Sequence, residues 1–227
     1  MTCGISYRNS SHYYELAAGQ SVINAFRRVY DQKQEFNLQL QDFVWYGQQV
    51  VNVRDICIVL DTSNSMGTNR FHEVARLINR IIHTATGYFS LIIFQGNGAK
   101  TAVAWTRNKK TVQKCLQLLR PGGLTPLGTG LMRAISYCKG RERKVVLLVI
   151  SDGLPTAPLS CPGPFGMAYD AALKLKKMHF KTVFVGLESN EKFLRDLAKC
   201  AGGDVVLAES WHAEKITSRV KRIIKSV

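Results

Sequence analysis

Residues 56–65 read ICIVLDTSNS and decide the fold. The apolar run at 56–60 is followed at once by polar residues, which is typical of a strand buried on both faces. A second run, VVLLVI at 145–150, ends in the same way with Ser151 and Asp152. Such strands occur in parallel sheets whose two faces are covered by helices. The two stretches therefore predict an α/β domain.

Strand and helix patterns alternate on both sides of these stretches. Residues 88–94 and 101–105 flank the turn Gly96-Asn97-Gly98 and predict an antiparallel hairpin. Further strands are predicted at 181–187 and, at a sheet edge, at 204–207. Apolar stripes at helical spacing occur within residues 71–82, 112–119, 127–138, 168–178 and 193–197. We expect a doubly wound, mostly parallel sheet with one antiparallel edge hairpin and helices on both faces.

The same patterns divide the chain into three parts. Residues 1–54 are an N-terminal extension, 55–210 form the α/β domain, and 211–227 form a C-terminal amphipathic helix. The first 19 residues are polar and lack periodicity, so we expect an irregular segment there. The rest of the extension has one helical stripe and one short strand or hairpin arm, at residues 20–36 and 38–46.

The composition excludes several broad classes of protein. The chain has 227 residues, of which 46% are hydrophobic and 21% charged, so it can bury a core and is not disordered as a whole. Its longest apolar runs, 56–60 and 145–150, are far shorter than the ~20 residues of a membrane span. No secretory signal pattern opens the sequence. Its six cysteines contain no C-x-x-C pair and are interpreted as reduced thiols. We expect a soluble, cytoplasmic protein.

The chain is strongly basic, with a formal net charge of +15. Residues 100–144 hold eleven basic side chains against a single acidic one, Glu142. Such a field attracts acidic partners, whether nucleic acid, an anionic protein surface or phosphate ligands. A solvated basic face that keeps the protein soluble is the alternative interpretation.

Oxygen-bearing side chains follow the predicted strands at one edge of the sheet. Asp61, Ser63 and Ser65 follow the first apolar run, Asp152 follows the second, and Thr125 lies in a loop that opens a helix. In a parallel sheet these positions meet at the carboxyl edge, where ligands bind. Two carboxylates with three hydroxyls suit Mg²⁺ or Mn²⁺ rather than zinc, and leave room for a carboxylate from outside. Helix capping is the alternative role of each loop by itself.

These residues resemble a known metal site. The pattern Asp61-x-Ser63-x-Ser65, followed in order by Thr125 and Asp152, is similar to the metal-ion-dependent adhesion site of von Willebrand A (integrin I-like) domains. The resemblance implies a magnesium ion at these five residues. It also implies a protein partner that binds the ion through an acidic residue.

A narrower resemblance covers roughly residues 20–207. The segments 122–131, GGLTPLGTGL, and 148–155, LVISDGLP, look like the A domain of the D subunit of magnesium and cobalt chelatases. Residues 24–28 and 41–43 are similar to the elements that precede that domain. The family inserts Mg²⁺ or Co²⁺ into a tetrapyrrole, and its D subunit docks with an AAA+ ATPase subunit and the large catalytic subunit.

The sequence departs from that family in two respects. Asn64 replaces the usual glycine of D-x-S-G-S, and the ATPase module with its linker is absent. Asparagine tolerates tight turns better than most residues, so we expect the loop to keep its shape. Only the adaptor role, as a non-ATPase subunit, is therefore expected to carry over.

No catalytic constellation accompanies the metal pattern. Residues 96–101, GNGAKT, imitate the end of a phosphate loop but lie between two strands rather than before a helix. We predict no catalytic and no cofactor-binding residues besides the metal ligands. The favoured function is a magnesium-dependent protein-interaction module that works with an AAA+ ATPase. The alternative is a nucleic-acid (RNA)-binding domain that uses the basic 100–144 surface, and a metal-dependent hydrolase ranks last because no base stands beside the site.

Overall fold

A computed structural model of the chain describes most of its residues. The described ranges are 6–8, 12–32, 35–49, 54–142, 145–152, 154–158, 162–187, 190–208, 216–220 and 222. The chain divides into two compact units, residues 1–52 and 53–227. Within the described residues, no helix is long and apolar enough to cross a bilayer.

The first unit is a small antiparallel sheet with one helix. Its elements are β1 (Ser6–Arg8), β2 (His12–Leu16), α1 (Ala18–Gln32), a 3-10 turn (Leu40–Asp42) and β3 (Trp45–Gln49). Strand β2 lies between β1 and β3 and pairs with both. The prediction of an irregular segment over residues 1–19 was therefore wrong. These short strands are held by backbone pairing, which leaves little hydrophobic alternation in a polar stretch.

The second unit contains a six-stranded sheet. Its strands are β4 (Asp55–Asp61), β5 (Phe89–Gln95), β6 (Gly98–Thr106), β7 (Val145–Ser151), β8 (Lys181–Leu187) and β9 (Asp204–Ala208). Their order is β6-β5-β4-β7-β8-β9, and only the edge pair β5–β6 is antiparallel. The predicted sheet, with its edge hairpin and its edge strand near residue 204, is confirmed.

Helices connect the strands of this sheet. They are α2 (Gly67–Thr84), α3 (Lys109–Leu118), α4 (Leu127–Cys138), α5 (Gly163–Lys177) and α6 (Glu191–Ala201). Residues 216–220 and 222 are also helical. The other residues of the helix predicted at 211–227 lie outside the described part of the chain.

Both faces of the central strands β4 and β7 are buried, which explains the continuous apolar runs. On β4, Ile56, Ile58 and Leu60 pack with side chains of α2, α3 and residues 216–220. The alternate residues Cys57 and Val59 pack with α4, α5 and α6 on the other face. Because side chains alternate across a strand, a strand covered on both sides must be apolar at every position.

The topology places two strand ends side by side. Strands β4 and β7 are parallel neighbours, with Leu60 opposite Ile150. Their last residues, Asp61 and Ser151, therefore meet at the carboxyl edge of the sheet. The chain leaves β4 toward β5 on one side and reaches β7 on the other, so this edge is where strand order reverses. Ligands bind at such a point in open α/β sheets.

Candidate metal centre

Asp61 is the buried end of the site. It is the last residue of β4 and is fully shielded from solvent. One carboxylate oxygen, Oδ1, accepts the backbone N–H of Ser63 at 2.9 Å, which turns the chain out of the strand. The other, Oδ2, accepts the hydroxyl of Ser151 at 2.7 Å. The carboxylate is thus fixed by two neighbours from adjacent strand ends.

A chain of hydroxyl groups leads from this buried end to the second carboxylate. The Oγ atoms of Ser63 and Ser65 lie 2.9 Å apart, within hydrogen-bond distance. Ser65 Oγ also lies 3.0 Å from Asp152 Oδ1, to which it donates. Four of the five predicted ligands therefore belong to one connected network that spans the ends of β4 and β7.

The loop that carries Thr125 is held against the β4 loop by backbone hydrogen bonds. Asn64 N–H donates to Gly123 O at 2.9 Å, and Gly122 N–H donates to Thr62 O at 2.8 Å. Thr125 itself is buried, and its N–H donates to the hydroxyl of Thr156 at 2.8 Å. These hydrogen bonds hold the backbone of Thr125 beside the other candidate ligands.

An open cavity of about 550 Å³ lies over this network. Ser65, Thr125 and Asp152 all line it, so three of the predicted ligands face the same space. Arg70, from the first turn of α2, lines it as well, and its Nη1 lies 3.6 Å from Asp152 Oδ2. The Arg70 side chain is 44% exposed, which leaves much of the guanidinium accessible.

The electrostatics of the two carboxylates differ. Burial raises the pKa of Asp61 to about 6, against the opposing effect of hydrogen bonds from Ser63 and Ser151. No ion pair of the described residues involves Asp61, whereas Asp152 has Arg70 beside it. Among the described residues, Asp61 is thus a buried acid without a cationic side chain to balance it, and nearby positive charge would favour its charged form.

The candidate donors are all oxygen atoms. Within the described residues, no three His, Cys, Asp or Glu side chains cluster as a metal-binding group. The candidate set instead consists of two carboxylates, Asp61 and Asp152, with the hydroxyls of Ser63, Ser65 and Thr125. Oxygen ligands of this kind suit Mg²⁺ or Mn²⁺, which prefer few carboxylates and retain several waters.

The sequence missed three contributors. Ser151 and Thr156 hydrogen-bond to predicted ligands, and Arg70 reaches the cavity from a helix. Ser151 was signalled by its place at the end of a buried strand, but Thr156 and Arg70 depend on side-chain reach that no local pattern reveals. Asn64 is not among the described residues with positive φ, so the backbone at this position does not require glycine.

Part of the second unit matches a known domain family. Residues 56–154 match the family of the von Willebrand factor type A domain. The matched region contains all five candidate ligands. The second unit has the fold of that domain: a mostly parallel six-stranded sheet with one antiparallel pair and helices around it.

Solved structures of low sequence identity share this fold. BatB from Bacteroides thetaiotaomicron, described as a conserved hypothetical protein, superposes with a TM-score of 0.59 at 20% identity, over 76% of this chain and 99% of that one. The SpRpn10 VWA domain gives 0.59 at 14% identity, over 74% and 95%. A von Willebrand factor type A protein from Catenulispora acidiphila gives 0.61 at 15% identity, over 94% and 46%.

Proposed function

We propose that the second unit is a magnesium-dependent protein-interaction module. Asp61, Ser63, Ser65, Thr125 and Asp152 would hold Mg²⁺ or Mn²⁺, and the module would bind an acidic side chain of a partner protein there. The observation that carries this proposal is the hydrogen-bonded network from Asp61 through Ser63 and Ser65 to Asp152, which opens into a cavity beside Thr125.

The donor set fits the ion. The hydroxyls of Ser63 and Ser65 are already 2.9 Å apart, and the two carboxylates bring two negative charges to the site. When bound, the ion supplies a positive charge, and a carboxylate oxygen of an acidic partner can coordinate it. A set with only two carboxylates leaves the bound ion short of anionic ligands, which favours a third carboxylate from outside.

Arg70 adds a second attraction for an acidic partner. Its guanidinium lines the cavity at the mouth of the site and is nearly half exposed. Arginine binds carboxylates through two parallel hydrogen bonds, so it can orient an incoming Asp or Glu side chain. The position of Arg70 beside Asp152 would thus let it contact the same partner residue as the ion.

A more specific form of the proposal concerns the partner. The resemblance of residues 122–131 and 148–155 to the chelatase D subunit favours an AAA+ ATPase or a large chelatase subunit as the protein that is bound. In that role the chain would act as a non-ATPase adaptor in metal insertion into a tetrapyrrole or in protein remodelling. The chelatase role requires the metal-dependent interaction, whereas the metal-dependent interaction does not require a chelatase partner.

Calorimetric titration with MgCl₂ and electron paramagnetic resonance with MnCl₂ test the metal site directly. We expect one bound ion in the full chain, and at least tenfold weaker binding in Asp152→Asn and Ser65→Ala. Ser136→Ala is the matched control, because it removes an exposed hydroxyl from α4 away from the site. Unchanged affinity in both site variants would contradict the proposal.

Capture of partners from an extract of the source cells tests the interaction. A partner is expected to bind the full chain in MgCl₂, to be released by EDTA, and to be lost with Asp152→Asn but not with Ser136→Ala. If the captured protein is an AAA+ ATPase or a large chelatase subunit, the specific form is supported. A partner of another class rejects only that form, whereas a partner retained equally in EDTA rejects the metal-dependent mechanism.

A further inference from the structure

The opposite edge of the large sheet carries a row of alternating arginine and aromatic side chains. Strands β4 and β5 begin at this edge and β6 ends there, as does α4. It is therefore the amino edge of the parallel strands, across the sheet from the candidate metal centre. The five side chains of this row, which we call the Arg/aromatic row, are Arg107, Tyr88, Arg141, Trp105 and Tyr137.

The contacts within the row are those of stacked groups. The guanidinium carbon of Arg107 lies 4.5 Å from the centre of the Tyr88 ring. That of Arg141 lies 6.0 Å from the Tyr88 ring and 5.0 Å from the Trp105 ring. Trp105 and Tyr137 stack at 5.7 Å with their planes 14° apart. Cations and aromatic faces attract at these distances.

One end of the row is anchored and the other faces solvent. The backbone N–H of Trp105 donates to the hydroxyl of Tyr137 at 3.0 Å, and both side chains are partly buried. At the other end Tyr88 is 37% exposed and Arg107 is exposed. The row thus offers flat, charged and aromatic surfaces to solvent on a fixed base.

The charge around the row is positive. Lys110, at the start of α3, and Lys139, just after α4, are exposed close in sequence to Arg107 and Arg141. Two acidic residues lie nearby, but both are engaged. Asp55 pairs with Arg141 at 3.3 Å and accepts Tyr88 N–H, while Glu142 accepts Gly140 N–H at 2.7 Å.

We propose that this edge binds single-stranded nucleic acid. Arg107 and the neighbouring lysines would bind phosphates, while unpaired bases stack on the exposed ring and on the guanidinium planes. Bases stack on both kinds of surface, and stacking platforms within a positive groove are how proteins bind single strands. An acidic peptide would use only the positive charge and would leave the flat surfaces without a partner.

The site is separate from the proposed metal-dependent function. It lies at the other edge of the sheet and contains none of the five candidate ligands. We expect nucleic acid to bind in EDTA, where no metal ion occupies the other edge, and to bind Asp152→Asn as tightly as the native chain. Failure of either proposal would therefore leave the other intact.

Fluorescence anisotropy of a labelled 15-nucleotide oligouridine, titrated with the full chain at low salt, tests the proposal. The Tyr88→Leu variant preserves charge and removes the ring, and is expected to bind about fivefold weaker or worse. Tyr88→Phe keeps the ring and is expected to stay within twofold of the native protein. Equal affinity of the Leu and Phe variants, or no binding of the oligonucleotide at all, would overturn the proposal.

A second pair of variants tests the phosphate contacts without touching the packed part of the row. Arg107→Gln removes an exposed charge and is expected to flatten the dependence of log affinity on log salt by about 0.7. Arg133→Gln, in the same basic segment but outside the row, is the matched control and should change this salt dependence less. A duplex of equal length, or polyglutamate as competitor, should bind several-fold weaker. Equal binding of either would show a charge-only surface and reject single-strand recognition.

Discussion

Gly123 shows how one residue can fix the position of a site. Its φ is +74°, a conformation that side chains other than glycine rarely adopt. A Cβ at this position would lie 2.9 Å from both Cα and N of Gly96, in the turn between β5 and β6. The carbonyl of Gly123 accepts Asn64 N–H, and this hydrogen bond joins the loop of Thr125 to the loop of Ser63.

Replacing Gly123 by alanine should therefore weaken both the fold and the site. We expect Gly123→Ala to lower the free energy of unfolding by about 1–2 kcal/mol, because of the positive φ alone, and further through the contact with Gly96. Gly122→Ala is the matched control, since a Cβ there has no neighbour within 4 Å. Urea unfolding of the full chain measures both variants. Equal stability of the two would show that the loop relaxes without cost.

For single residues, the sequence indicated the carboxylates and hydroxyls of the candidate site but not the side chains that contact them. The positions of Asp61 and Asp152 at one edge of the sheet were predictable because each follows a buried apolar run and the two parallel strands end side by side. Arg70 and Thr156 were missed because their part in the site depends on how far a side chain reaches from another element. Only the assembled fold brings them to Asp152 and Thr125.

Among elements, α1 and the 3-10 turn at residues 40–42 are joined by a nearly buried ion pair. Arg28 donates to Asp42 through Nε at 3.0 Å and Nη2 at 2.9 Å, a two-point contact between side chains 9% and 3% exposed. Arg28 also donates to Asn37 O at 2.6 Å. The hydrogen bond from Arg28 is the largest cause that holds the pKa of Asp42 below its usual 3.8, and the N–H of Gln39 adds to it.

This lowered pKa gives the ion pair a defined pH dependence. Asp42 stabilises the fold fully above pH 3.8, the pKa of the unfolded chain, and its contribution is lost as pH falls through the lower folded value. We expect Arg28→Met to be less stable than the native chain at pH 7, and the difference to shrink as pH falls below 4. Urea unfolding at several pH values measures the difference.

Arg27→Met is the control for this prediction. Arg27 is the neighbouring residue on α1, carries the same charge and is exposed, so its loss should produce a small effect with little change between pH 4 and 7. A carbon-detected titration of the Asp42 carboxyl adds a direct measurement, since its pKa should rise when Arg28 is removed. A destabilisation by Arg28→Met that is independent of pH would mean that packing, not charge, holds the two elements together.

The elements themselves were predictable to different degrees. The buried strands and the hairpin of the large sheet follow from long apolar runs and a glycine turn. These signals are local and do not depend on the rest of the sequence. Strand β2 lies in a polar stretch and pairs with β3, over 30 residues away for most partners, while β1 pairs only with β2 among the described strands. Long-range pairing of this kind leaves no local periodicity to read.

For the whole molecule, the sheet separates two surfaces of different chemistry. The carboxyl edge gathers two acids with hydroxyls, while the amino edge gathers arginines and aromatic rings. A net charge of +15 brings acidic partners toward both, so long-range attraction alone cannot distinguish one edge from the other. We therefore expect specificity to come from local geometry, through the proposed metal site at one edge and the proposed stacking at the other.

Binding of a metal to the folded state should be visible as a gain in stability of the molecule. At a concentration 100-fold above its dissociation constant, a ligand that binds only the folded state adds about 2.7 kcal/mol. In a unit of about 150–250 residues this corresponds to a rise of about 5–10 °C in Tm. Differential scanning calorimetry of the full chain, with MgCl₂ against EDTA at equal ionic strength, measures the rise.

Asp61→Asn is the informative variant for this measurement, because asparagine has nearly the same shape but no charge. The native Asp61 carboxylate is fully buried and has no ion-pair partner among the described residues, so its charge is costly without a cation. In EDTA we expect Asp61→Asn to be at least as stable as the native chain, and in MgCl₂ to lose the rise in Tm. Glu191→Gln, which removes an exposed acid on α6, should keep it. A rise of equal size in both variants would place the bound ion elsewhere on the molecule.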